Sequence, residues 1–578
     1  AELMHVAVPV ALHLKLAEYL ENHMPESRVD VADMLSFHFL AGNDPEKGFG
    51  YALLAAMKAR EQYANKDAIH YYKKTLEILR EADFTVDPEL KYQIRRDLGI
   101  VYRQAGVYDQ AIVQFEDCLK EVLNKEGRME LHYGLGQVYQ EQGDTRFAVS
   151  HLETALNLAG KRVPPDGLWL LLSTIKELTR RTFVLFFPPA RRSSVGSPAD
   201  NTASRQSSIL RVLFKIYFFE DSRRVIWSIL AGVNLAERSG LRSEIAYAYS
   251  NYALLLAIYG FSRRSDFYFL ECRRLIERNP DPVAEANYYQ RMALRSQYDN
   301  NFHSMIRYAR RQIALLKEIG EVWDLVSGYV LLASAHLNTS DFSTARNCLL
   351  EVRDLTERQK SRLHLGFVQT NLSFCEYMLG IRSADEARPI LMEARNVERE
   401  SQNPSGQALC LGYLTLIAVR EGVAEDAVHF SMQAFDLIIE YRMLMPQTLL
   451  ALVHAAEGAL FALHRGEEGG QRQAKLRRIV KKAHRYVLRR SRQAPLLVAQ
   501  ALRIRAGYDA YRGRRRAAQK LYEQALGRTQ NKPDAWERGL VYYDRSRYSG
   551  DNRAADEAAA REIFQTLGLV PELNRLES

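Results

Sequence analysis

Residues 98–118 read LGIVYRQAGVYDQAIVQFEDC, and residues 135–155 read LGQVYQEQGDTRFAVSHLETA. Laid over each other at an offset of 37 residues, the two stretches place Leu98, Gly99 and Tyr102 on Leu135, Gly136 and Tyr139. Gly106, Ala111, Phe115 and Cys118 then fall on Gly143, Ala148, Leu152 and Ala155. Small and large apolar residues recur at helical spacing on both sides of a glycine-centred turn. This predicts two antiparallel helices whose small positions let the backbones approach and whose large ones fill the gap. One such pair cannot bury its apolar face alone, so the units must stack.

The unit resembles a tetratricopeptide (TPR) repeat. Its rhythm starts at Phe49, with Ala55, Ala56 and Ala59 on one helix and Ala68, Tyr72 and Leu76 on the next. Further along, the small position recurs at Ala345, Ala387, Ala427 and Ala518. The spacing there is about 40 residues against about 34 for a minimal repeat, and neither clear repeat has the usual closing proline. The fold class expected is therefore all-α, a TPR-like α-solenoid, wound as a right-handed superhelix of about ten antiparallel helix pairs.

Four segments follow from this reading. Residues 1–48 form a helical entry, with one stripe of His13, Leu14, Leu16, Ala17 and Leu20 and another of Met34, Leu35, Phe37, His38 and Leu40. Residues 49–187 hold the N-terminal repeats. Residues 188–208, rich in Ser and Pro and poor in apolar side chains, cannot offset the entropy of ordering and are predicted to be a flexible loop. Residues 209–578 continue as a C-terminal TPR-like solenoid.

Composition bounds the function. With 47% hydrophobic and 26% charged residues the chain is that of a folded, water-exposed protein, and only 17 of its 578 residues are prolines. No apolar run reaches the length of a membrane span, and no signal peptide is evident. The five cysteines never approach a CxxC spacing, which points to buried reduced thiols and a cytoplasmic setting. No GxxxxGK[ST], HExxH or GxSxG occurs, and the fourteen histidines are scattered, so no catalytic, cofactor-binding or metal residue is assigned. His132 and His151, on consecutive helices, read as packed or surface residues and not as ligands.

Charge is distributed unevenly. From Arg472 to Lys520 there are 17 Lys or Arg and one acid, Asp509, a net of +16 against +9 for the whole chain, which leaves −7 for everything else. Arg477, Lys481, Arg485 and Arg489 fall at i, i+4 intervals with Arg478 and Lys482 beside them, and Arg514, Arg515 and Arg516 follow the turn at Gly513. These nine residues are the candidate patch for an anionic partner. An acidic protein is the first reading and a nucleic acid the weaker one, since Tyr486, Tyr508 and Tyr511 are few for base stacking.

Three passages resemble the C-terminal region of bacterial STAND-type AAA ATPases, in which a cyclase or Ser/Thr kinase domain precedes a P-loop ATPase and a TPR array. They are His13 to Ala59, with the run His38 to Lys47; Asn234 to Gly240 continued by Glu244 to Tyr259; and Ala560 to Gly568, ending at Leu573. The resemblance implies a non-catalytic sensor and partner-binding arm, with a protein or peptide in the concave groove. A free-standing peptide-binding adaptor is the alternative, and a nucleic-acid scaffold working through residues 472–520 a weaker one. The chain opens on Ala1 and is read as a piece of a longer polypeptide.

Overall fold

A computed structural model describes residues 9–23, 28–81, 84–122, 124–186, 201–220, 222–359, 361–441, 446–466, 469–490, 495–530, 534–548 and 552–577. These contain 28 α-helices and no strand, so the array holds more helices than the ten or so pairs expected. The chain divides into two compact units. One comprises Ala1–Gln140, Arg146–Arg162 and Leu315–Leu325; the other comprises Glu141–Thr145, Val163–Ala314 and Val326–Ser578.

The first unit shows how the sequence pattern makes a helix pair. Asp87 caps the helix Pro88–Gln104 by accepting the Glu89 N–H, and Pro88 sits at its first position, where no backbone donor is missed. Gly106, at φ 74°, turns the chain into Tyr108–Glu121. Phe115 of that second helix lies between glycines of two successive first helices. A Cβ on Gly99 would stand 2.7 Å from its ring, and one on Gly134 2.9 Å. Gly136 leaves the same room for Leu152. In the entry segment, Ala17, Leu35 and Phe39 form the core, while Leu16, Met34 and Phe37 of the predicted stripes are exposed.

The second unit repeats the scheme. The small positions Ala345, Ala387, Ala427 and Ala518 are fully buried, each on the second helix of its pair. First helices of neighbouring pairs, such as Pro404–Arg420 and Pro446–Arg465, pack directly on one another, whereas second helices meet sparsely. The first helices thus form the inner layer of this unit. By length and composition Pro446–Arg465 could cross a membrane, but 78% of its apolar stretch is buried among its neighbours as a core helix.

One boundary differs from expectation. Of the predicted loop 188–208, residues 188–200 lie outside the described residues, and 201–208 are the opening turns of the helix Asn201–Glu220. The small polar residues there pack: Ala203, Gln206 and Ser207 are buried, and the Ser207 hydroxyl donates to the Gly232 carbonyl at 3.4 Å. Burial against Ser222–Ser239 offsets an entropy cost that composition alone judged too large.

Candidate functional site

The basic segment runs through two neighbouring helices of the second unit and into the start of a third, Arg515–Thr529. Gly470–Arg489 buries Leu476, Ile479, Val480, Ala483, His484 and Val487, a complete helical stripe. Its cations occupy the remaining positions and are held in solvent by that pattern. The next first helix, Val498–Tyr511, packs beside it and buries Ile504 and Tyr508 while leaving Arg505 exposed. Between the two helices lies a cleft of about 360 Å³.

Six cations line it: Lys481, Arg485 and Arg489 from one helix, Arg505, Arg512 and Arg514 from the other helix and its following turn. The one carboxylate in the lining, Asp509, sits 3.7 Å from Arg514. The Lys481 ammonium stands 5.9 Å from the centre of the Tyr508 ring, so the wall is aromatic as well as basic. His484 also lines the cleft. Burial, with Arg505 and Arg485 nearby, holds its pKa below the ordinary value, and Nδ1 is 2.7 Å from the Val480 carbonyl. It is therefore a neutral wall at pH 7.

The nine predicted residues separate. Lys481, Arg485, Arg489 and Arg514 come together in the cleft. Arg477 instead donates to the Tyr511 hydroxyl at 3.0 Å, and Arg478, Lys482, Arg515 and Arg516 are exposed outside it. Arg505 and Arg512 complete the cleft and were absent from the sequence list. The i, i+4 count followed one helix, and these two arrive across the pair.

The inner layer of the same unit holds a second charged cluster, and here every member is buried except Arg575, which is partly exposed. Arg420 of Pro404–Arg420 reaches Glu457 at 2.6 Å and Glu572 at 2.7 Å. Arg503 of Val498–Tyr511 reaches Glu457 at 2.9 Å, Glu537 at 2.8 Å and Asp544 at 2.8 Å. Arg575 closes on Glu572 at 3.0 Å, and the Trp536 indole N–H donates to the same carboxylate at 2.9 Å. Glu537 and Asp544 belong to the helix Ala535–Tyr548, and Glu572 and Arg575 to the last helix, Val570–Glu577. Trp536 also packs edge-on against Phe342, with ring centres 5.5 Å apart, and its backbone N–H donates to Ser340 Oγ. The C-terminal helices therefore cover part of the inner layer expected to be an open groove.

Three guanidinium groups face four carboxyl groups in this cluster. Arg420 and Arg503 hold Glu457 well below the usual carboxylate range despite its burial. Burial pushes Glu537 up to about 8, and the nearby Asp534 and Glu457 add to the rise. Burial raises Asp544 as well, so a proton held among these acids, on Glu537 foremost, offsets the surplus negative charge. Glu398 is another buried acid that sequence reasoning missed. Its carboxyl lies where Cβ atoms on Gly366 and Gly406 would stand, accepts from Asn403 Nδ2 at 2.7 Å, and is pushed by burial to about 8.

Among the described residues no group of three or more His, Cys, Asp or Glu side chains is placed to hold a metal. His132 and His151 do meet, Nδ1 to Nδ1 at 3.0 Å, and burial pushes His132 down to about 4. All five cysteines are buried and free.

Residues 90–161 match the tetratricopeptide repeat family. No curated protein matches the chain. Among solved structures, the STAND protein with a tetratricopeptide repeat sensor from Pyrococcus horikoshii is 13% identical, with 77% of this chain and 73% of that one covered and a TM-score of 0.39. A Rap protein complexed with competence and sporulation factor is 10% identical, with 71% and 99% covered and a TM-score of 0.43. Yeast Tom70 is 14% identical, with 91% and 98% covered and a TM-score of 0.33. The chain is an all-helical, TPR-like solenoid whose residues 90–161 are tetratricopeptide repeats.

Proposed function

We propose that the chain is a non-catalytic, cytoplasmic protein-binding scaffold, the sensor and partner-binding arm of a STAND-type signalling ATPase. The STAND assignment rests on the resemblance of the three passages quoted above. The observation that carries the binding role is the inner layer of the second unit, where aromatic and charged side chains take up a helix of the chain's own through polar contacts. A partner helix or extended segment offering the same carboxylate to Arg420 and the Trp536 indole would use that face. Such a partner would favour the state in which Val570–Glu577 is released, and the difference in its affinity for the two states sets how far the ATPase responds.

The reading requires a P-loop ATPase in the natural polypeptide, and removal of residues 49–578 there should change its turnover. Turnover unaffected by that deletion would refute the regulatory role. The isolated chain should hydrolyse no nucleotide.

A further inference from the structure

We propose that the cleft between Gly470–Arg489 and Val498–Tyr511 binds a compact oligophosphate anion, with three or more linked phosphate groups. This goes beyond the scaffold reading and does not depend on it.

Charge is the first argument. Six cations face one another across about 360 Å³ with a single carboxylate among them, which Arg514 already approaches. Elsewhere in the unit cations find acids: Lys475 pairs with Asp436, Arg388 with Asp426 and Arg545 with Asp556. Like charges gathered on facing helices repel, and a multiply charged anion removes that repulsion at once. Neutral His484 adds no further cation, so the charge of the lining stays constant around pH 7.

Chemistry selects phosphate. Five of the six cations are arginines, whose planar fork of N–H donors matches phosphate oxygens in pairs. Size then selects a small ligand. About 360 Å³ sits at the lower end of the range of roughly 300 to 1,000 Å³ for small-molecule sites. A single phosphate would leave most of the cations unmatched. A nucleic-acid strand would need the outer row, and Arg478, Lys482, Arg515 and Arg516 do not line the cleft.

Calorimetric titration of the full chain with tripolyphosphate, pyrophosphate and orthophosphate should give affinity that falls in that order. R485E/R489E should weaken tripolyphosphate by about 100-fold, the loss of two charge-assisted contacts. R478E/K482E changes the net charge equally outside the cleft and should leave the affinity within about threefold, with both variants folded by circular dichroism. No tripolyphosphate binding, or equal loss in the two variants, would overturn the assignment. A single-stranded oligonucleotide that binds more tightly and is not displaced by tripolyphosphate would overturn it in favour of a nucleic-acid surface. Neither result bears on ATPase control, and an unchanged ATPase would leave the cleft assignment standing.

Discussion

Glu537→Gln tests the charge count of the buried cluster. Four carboxyl groups surround three guanidinium groups, and Glu537 carries the extra proton with a pKa of about 8 against an ordinary 4.5. Its folded pKa is raised, so the stabilising proton is fully in place below the unfolded value and is lost as the pH rises toward 8. Between those limits the wild-type cluster loses about 1.4 kcal/mol per pH unit, and on the order of 5 kcal/mol across the window at most. Glutamine keeps a carbonyl to accept from Arg503 Nε and leaves three carboxylates for three guanidinium groups. That variant needs no proton.

Opening free energies from hydrogen exchange in Val498–Tyr511 and Ala535–Tyr548, compared at equal pH, report the effect without assuming a two-state chain. Wild type and E537Q should agree within about 1 kcal/mol at pH 5, and the variant should be more protected by several kcal/mol at pH 8. A difference that does not change with pH would show that the surplus charge is not held as a proton on Glu537, and the reasoning would fail.

The packing yields three further tests. Arg420→Met strips Glu457 and Glu572 of their shared partner inside the protein and should cost about 3–5 kcal/mol, read as earlier proteolysis at Val570–Glu577; R420M/E572Q should recover part of it. Gly134→Ala pushes a methyl into the Phe115 ring and should lower stability by about 1–3 kcal/mol in a calorimetric melt, with Phe115→Leu relieving the strain in the double variant. Burial raises the thiols of Cys118 to about 11 and Cys410 to about 12, so iodoacetamide at pH 7.5 should leave them unlabelled in the native chain and modify them in denaturant.

Much of the fold was legible because the repeat writes its packing into local spacing. Gly99 and Phe115 are close in sequence, so their contact shows as a pattern. Arg505 and Arg512 escaped because a cleft between two helices is set by how the helices face each other, which no single periodicity records. Leu168–Phe186 shows the opposite failure. Its apolar residues Leu168, Trp169, Leu171, Leu172, Ile175 and Leu178 are exposed, while Ser173, Glu177 and Arg181 turn inward. They do so because Trp227, Asn234 and Glu237 offer them partners at 3.0, 2.9 and 2.5 Å. Hydrophobicity ranks side chains one at a time, and here a matched set of polar groups decides which face is buried.

The same principle governs the C-terminal cover. An apolar helix laid on the inner layer would behave as one more piece of core, with nothing in it to titrate or to be matched by a partner's charges. Val570–Glu577 is held instead by Glu572 and Arg575, in a cluster with one carboxyl more than it has guanidinium groups. Removing one partner from such a cluster is costly, while supplying an equivalent carboxylate from another molecule costs little, since Arg420 and Trp536 keep their contacts. Charge matching therefore makes exchange of one acidic helix for another the low-energy route by which this face can open.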